Sequence, residues 1–192
     1  MAESVRDLLE YLRSTMPDAP PDEYRRPASY LPDDAATKIL AALAKQESGN
    51  GANVNHALIK SGTHKGDRAM GVYGVMPKTL EAMFDSEDFR VRSKLEGPKS
   101  IPAATTKEGL KKAFLENRDF QDFVVRELLD RNAREMRTKD PEALAIAHYA
   151  GSGAGRKFLR EGAASDRQVM TTGRAAPSVS EYARSVLELM ER

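Results

Sequence analysis

Five of the ten prolines in this 192-residue chain, Pro17, Pro20, Pro21, Pro27 and Pro32, fall within residues 15–32. Proline fixes φ and removes a backbone donor, so neither a helix interior nor an inner strand can run through this stretch. It reads as an extended arm that divides the chain into residues 1–32 and residues 33–192. Ahead of it, Val5, Leu8, Leu9, Leu12 and Met16 share one helical stripe, which predicts a short amphipathic helix. Its polar face carries Glu3, Asp7 and Glu10 and lacks the basic band of a membrane-surface helix. Beyond the arm, apolar residues recur at helical spacing and two-residue alternation is missing. Ala36, Ile39, Leu40 and Leu43 predict a helix capped by Asp33 or Asp34 and running to about Glu47. Pro77 is placed to open a helix through about Phe84. Further helices are expected at 86–95, 107–117, 119–137, 140–150 after the Asp140-Pro141 start signal, and 178–191 capped by Ser178 or Ser180. The fold class is all-α, or mainly α with a very small β element.

Composition removes several function classes. Thirty Lys+Arg against 29 Asp+Glu leave a net charge of +1, which gives no global reason to expect nucleic acid as a partner. The absence of cysteine removes disulfide frameworks, thiolate zinc sites and cysteine nucleophiles. The first sixteen residues hold no continuous apolar run, so neither a signal peptide nor a membrane span is expected there. The charge is nevertheless uneven. Residues 1–34 carry eight acids and four bases, whereas Lys45, Lys60, Lys65, Arg68 and Lys78 face only Glu47 and Asp67 within 45–78. A basic region of that kind attracts anionic polymers, less so as salt rises.

Three segments carry candidate chemistry. Glu47 lies four residues after Leu43 and eight after Ile39, which puts a carboxyl at the end of an apolar stripe. Burial there and the negative end of the helix dipole both disfavour the charged form and would raise its pKa. An acid protonated near neutral pH suits glycosidic cleavage, which must protonate a leaving oxygen. The second segment is A-x-G-x-x-G-x-M-P-x-T at Ala69, Gly71, Gly74, Met76, Pro77 and Thr79, 22 to 32 residues after Glu47. Its glycines permit close backbone approach, and Tyr73 offers a hydroxyl and a flat face suited to sugars. The third is AIAHYAGSG, with His148, Tyr149, Gly151 and Gly153. The following GSGAGRK lacks both the preceding strand and the spacing of a phosphate loop, which argues against nucleotide binding.

Taken in order, Glu47-Ser48 after an apolar helix, AMGVYGVMPKT and AHYAGSG resemble the lytic transglycosylase family, which has a goose-type-lysozyme-like fold. In that family a Glu-Ser pair is followed by G-L-M-Q-x-x-P-x-T and later by A-Y-N-A-G. The closing APSVSEYARSVLEL also resembles the family's last helix, which follows a Pro and carries a Tyr. The likeness runs through residues 33–191, with about thirty specific positions. It implies cleavage of the β-1,4 MurNAc-GlcNAc bond of peptidoglycan to 1,6-anhydro products, with Glu47 as the single catalytic residue and no cofactor. Ser48, Tyr73, Gly74, Met76, His148 and Tyr149 become substrate-binding candidates. Ser48 would orient part of the Glu47 site or the substrate N-acetyl group, and Tyr149 would hydrogen-bond near Glu47. The chain departs from the family where Gly74 stands for Gln, Tyr73 for Met, and His148-Tyr149 for Tyr-Asn. The family's cleft Tyr therefore maps to His148 or, by a local shift, to Tyr149, which its chemistry favours.

Rival readings remain open at this level. A muramidase-type hydrolase needs a second carboxylate, for which Asp67 is the first candidate and Glu81 and Asp85 follow. A non-catalytic wall-binding or virion component is a further alternative. The His-centred set His56, His64, Asp67 and His148 lacks H-E-x-x-H spacing, and no metal is expected. A wall-cleaving protein without a leader suggests a phage virion or delivery to the periplasm by another route. Residues 1–32 would then attach it to virion or secretion-machine proteins.

Overall fold

A computed structural model describes residues 29–54, 56–60, 64–87, 89–90, 97, 106–162 and 176–192. The helix expected within residues 1–16, most of the proline arm and most of 86–95 lie outside them. The fold is mainly helical. Among the described residues are α1 (Asp33–Ser48), α2 (Pro77–Asp85), α3 (Lys107–Glu116), α4 (Arg118–Met136), α5 (Pro141–Ala150), α6 (Ser152–Glu161) and α7 (Val179–Met190). The β structure among them is limited to isolated antiparallel bridges, Leu58 with Arg68 and Met70 with Val75.

Capping chemistry fixes most helix starts. The side chains of Thr106, Asn117 and Asp140 accept from backbone N–H groups of the first turns of α3, α4 and α5. Ser178 and Glu181 close a reciprocal capping box on α7. At α1 the expectation needs correction. Pro32 occupies the N-cap without a side-chain hydrogen bond, and Asp33 and Asp34 sit in the first turn, where the helix dipole favours acids. The segment before α1 is tied to α4 by a buried carboxylate: Asp130 Oδ1 accepts from Leu31 N at 3.0 Å and from Ser29 Oγ at 2.8 Å.

The core is built from the apolar stripes of α1, α4, α5 and α7, with Leu43, Val124, Leu129, Leu144, Ile146 and Val186 each fully buried. α5 packs against α6 and α7, and α7 against α1, so the last helix lies beside the one that carries Glu47. α6 is the helix that the sequence pattern does not announce. Gly153 and Gly155 lower its intrinsic propensity, so tertiary contact has to supply the stability. Gly155 shows how. A Cβ built there would lie 2.5 Å from Met136 Sδ and 2.9 Å from the Ala143 carbonyl, so its missing side chain lets α6 close on α4 and α5.

Candidate active site

Glu47 is half-buried in the last turn of α1. The chain then reverses through Gly49, Asn50 and Gly51, all at positive φ. Ser48 holds that reversal. Its hydroxyl donates to the Ala44 carbonyl at 3.0 Å and accepts from Gly51 N at 2.8 Å, and the residue is 3% exposed. What Ser48 orients is therefore the loop, and the surface placement expected of a substrate contact is not found.

A second turn closes over the carboxyl. Met70 and Val75 exchange backbone hydrogen bonds of 2.8 and 3.0 Å, which pinches residues 71–74 into a tight loop. Gly74 has φ +62°, and a Cβ built on it would lie 2.5 Å from Glu47 Oε2 and 2.9 Å from Glu47 Cδ. The chain thus has glycine at this position because the Glu47 carboxyl fills the space a side chain would need. From the sequence Gly74 is a substrate-binding candidate standing in place of a Gln; in the fold its backbone forms one wall of the acid's site.

The opposite contact comes from α7. Tyr182, 2% exposed, donates its hydroxyl to Glu47 Oε1 at 2.6 Å, across 135 residues of sequence. Beside it Ser185 Oγ donates to Gln46 Oε1 at 2.6 Å, so α7 grips two successive residues of α1. Burial, followed by the charge of Glu47 and the hydrogen bond to it, raises the Tyr182 pKa well above the ordinary phenol value. The hydroxyl therefore stays a donor throughout the pH range in which a carboxyl titrates. Sequence reading left Tyr182 out of the site; its signal was the tyrosine on the closing helix.

Tyr149 takes a different place from the one expected. Its ring stacks on Tyr182, with centroids 4.2 Å apart and planes at 15°, but its hydroxyl donates to the Pro177 carbonyl at 2.7 Å. It reaches Glu47 through the field rather than through a hydrogen bond. Burial first, then the charges of Glu47 and Glu181, push its pKa up to about 12.

Tyr73 needs a clear correction. It is 2% exposed, and no sugar can stack on a face so covered. Its hydroxyl donates to Asp122 Oδ1 at 2.8 Å and accepts from Arg118 Nη2 at 3.0 Å, while the Arg118 guanidinium lies 4.9 Å from the ring centroid. Burial and the Asp122 contact push its pKa up to about 12. Tyr73 is thus the anchor that pins the 71–74 turn to α4. His148, at the end of α5, meets the same turn with Nε2 2.9 Å from the Tyr73 carbonyl. Met76 is half-buried at the N-cap of α2 and marks where the motif becomes helical.

The remaining carboxylates lie apart from these contacts. Asp67 Oδ2 is 3.7 Å from His64 Nδ1, and its backbone pairs with Ile59 in the 58–68 loop. Glu81 is bound by Lys107 at 2.9 Å and Lys111 at 2.8 Å; the hydrogen bonds from Lys111 and Lys107 hold its pKa below the ordinary value. A carboxylate held that way cannot serve as a free base. Asp85 is the exposed last residue of α2. His56 and His148 each spend Nε2 on a backbone carbonyl, and among the described residues no group of three or more His, Asp or Glu is placed to hold a metal ion.

The arrangement is one carboxyl with one oxygen fixed by a permanent donor and the other against backbone. That geometry suits a single group that gives and then takes a proton. Compared with family models, with curated proteins and with solved structures, the chain shows no match.

Proposed function

We propose that this chain is a peptidoglycan lytic transglycosylase of lysozyme-like fold, with Glu47 as its one catalytic residue. The observation that carries the reading is the Tyr182 hydroxyl 2.6 Å from Glu47 Oε1, with Gly74 against Oε2. Two elements distant in sequence converge on one carboxyl, and a surface glutamate has no need of them. With Oε1 accepting from Tyr182, the acid proton sits on Oε2. Oε2–H protonates the bridging oxygen, and the bond from that oxygen to the muramyl C1 breaks. The resulting carboxylate removes the proton of the muramyl 6-hydroxyl, and O6 bonds to C1 to close the 1,6-anhydro ring. Glu47 ends protonated as it began, and no water is consumed.

The exposed Lys45, Lys60, Lys65, Arg68 and Lys78 surround this region in sequence and supply positive charge for an anionic wall polymer. The hydrolytic reading keeps one supporting observation. Asp67 Oδ2 is buried and faces His64 Nδ1 at 3.7 Å, the one second carboxylate among the three candidates that is neither bound by lysines nor exposed. Digestion of purified peptidoglycan by wild type and Glu47→Gln tests the proposal. Lysis by wild type, and its loss in a variant with unchanged circular dichroism and melting, supports it. Full lysis by Glu47→Gln removes it, and glycan binding without lysis by either protein favours a wall-binding component.

A further inference from the structure

The 71–74 turn that walls Glu47 is short of backbone partners. Beyond the Met70–Val75 pair, its internal hydrogen bond from Gly74 N to the Gly71 carbonyl is long, at 3.4 Å. Three of its peptide groups are met by side chains from three separate segments. His56, in the loop after α1, has Nε2 2.7 Å from the Gly71 carbonyl. Gln121 of α4 accepts from Val72 N at 2.6 Å through Oε1. His148 of α5 has Nε2 2.9 Å from the Tyr73 carbonyl. A carbonyl only accepts, so each imidazole must carry its proton on Nε2. His148 Nδ1 is buried and has no hydrogen-bond partner among the described residues, so with the proton on Nε2 the ring leaves an acceptor rather than a donor unmet.

We propose that His56 and His148 are positioning residues, two imidazole donors that hold the Gly71 and Tyr73 carbonyls and so set the Gly74 backbone against the Glu47 carboxyl. The inference rests on Glu47 being the working acid. It assigns both rings to the turn and neither to substrate. The two contacts come from separate chain segments, one from the loop that follows Glu47 and one from α5. If either is lost, a carbonyl of the turn loses its side-chain donor and the turn is free to shift. The wall it forms on Oε2 then shifts with it.

The test compares amide side chains of two lengths at each position. A Gln amide reaches about as far as Nε2, whereas an Asn amide reaches only to the Nδ1 position. Both are small, polar and compatible with folding. His148→Asn and His56→Asn are expected to move the Gly74 amide signal and the Glu47 carboxyl 13C signal, and the two Gln variants to return both towards wild type. In peptidoglycan digestion, the Asn variants should lower kcat about tenfold or more with KM within about twofold, and the Gln variants should stay within about threefold of wild type. Asn and Gln variants that leave the Gly74 amide alike would overturn the clamp, as would a raised KM at unchanged kcat, which would put the rings on the substrate. If wild type cleaves no glycan, the proposed activity falls, and the two NMR signals still decide the clamp by themselves.

Discussion

A single methyl group at residue 74 strikes the site at its tightest point. In Gly74→Ala the new Cβ starts 2.5 Å from Glu47 Oε2 and 3.3 Å from Glu47 Cγ, on a residue with φ +62°. Holding alanine in the left-handed region costs about 1–2 kcal/mol. Forcing Glu47 off its rotamer to make room adds about 0.5–1.5 kcal/mol. Together the loss is about 1.5–3.5 kcal/mol, a fall in Tm of about 3–14 °C for a chain of this size. Glu47 that swings aside also leaves Tyr182, and a displacement of about 1 Å lowers turnover about 100-fold. Thermal unfolding and peptidoglycan digestion read the two effects. A double-mutant cycle with Glu47→Ala separates them, because removing the carboxyl should leave only the backbone cost of about 1–2 kcal/mol. Wild-type melting and activity in Gly74→Ala would refute the packing described, as would a double variant that shows no relief.

Other substitutions probe the contacts one at a time. Tyr182→Phe keeps the stack on Tyr149 but deletes the hydroxyl on Glu47; that bond strengthens by about 1–1.5 kcal/mol as the acid becomes a carboxylate, so turnover should fall about 5- to 13-fold. Tyr149→Phe, whose hydroxyl meets only the Pro177 carbonyl, should cost about 0.5–1.5 kcal/mol in denaturant stability and leave turnover closer to wild type. Gly155→Ala should destabilise by about 1–3 kcal/mol in the same assay, because the Ala143 carbonyl 2.9 Å away is backbone and cannot yield as the Met136 thioether can. At Asp130, burial alone would raise the pKa, but hydrogen bonds from Leu31 N, Ser29 and Arg134 outweigh it and hold the carboxyl below its ordinary value. A depressed folded-state pKa stabilises above the unfolded value of about 4, and that gain is lost as pH falls through the lower folded value. Urea stability should therefore drop on acidification below about pH 4, and Asp130→Asn should be less stable at neutral pH and show a flatter acid limb.

Local chemistry made most of the helices legible. Pro77, Asp140-Pro141 and Ser178 are start signals that act within a few residues, and each stands at the start of a helix. α6 was hidden because Gly153 and Gly155 argue locally against a helix, while the reason for Gly155 lies in Met136 and Ala143 across an interface. The site followed the same rule. Glu47 stood out because its own helix carries the apolar stripe. Tyr73 misled because a phenol suited to sugars is equally suited to Asp122 and Arg118, which lie more than forty residues along the chain. Tyr182 and Gly74 take their roles from where Glu47 comes to lie, which no spacing within their own segments reveals.

The central claim is that one carboxyl performs both proton transfers, and product mass tests it most directly. Purified peptidoglycan is digested with the full chain and the soluble muropeptides are weighed. The account predicts fragments ending in 1,6-anhydro-muramic acid, each lighter by one water than its hydrolytic counterpart and resistant to borohydride reduction. Products ending in reducible muramic acid would contradict it and pass the second step to a water held by another group.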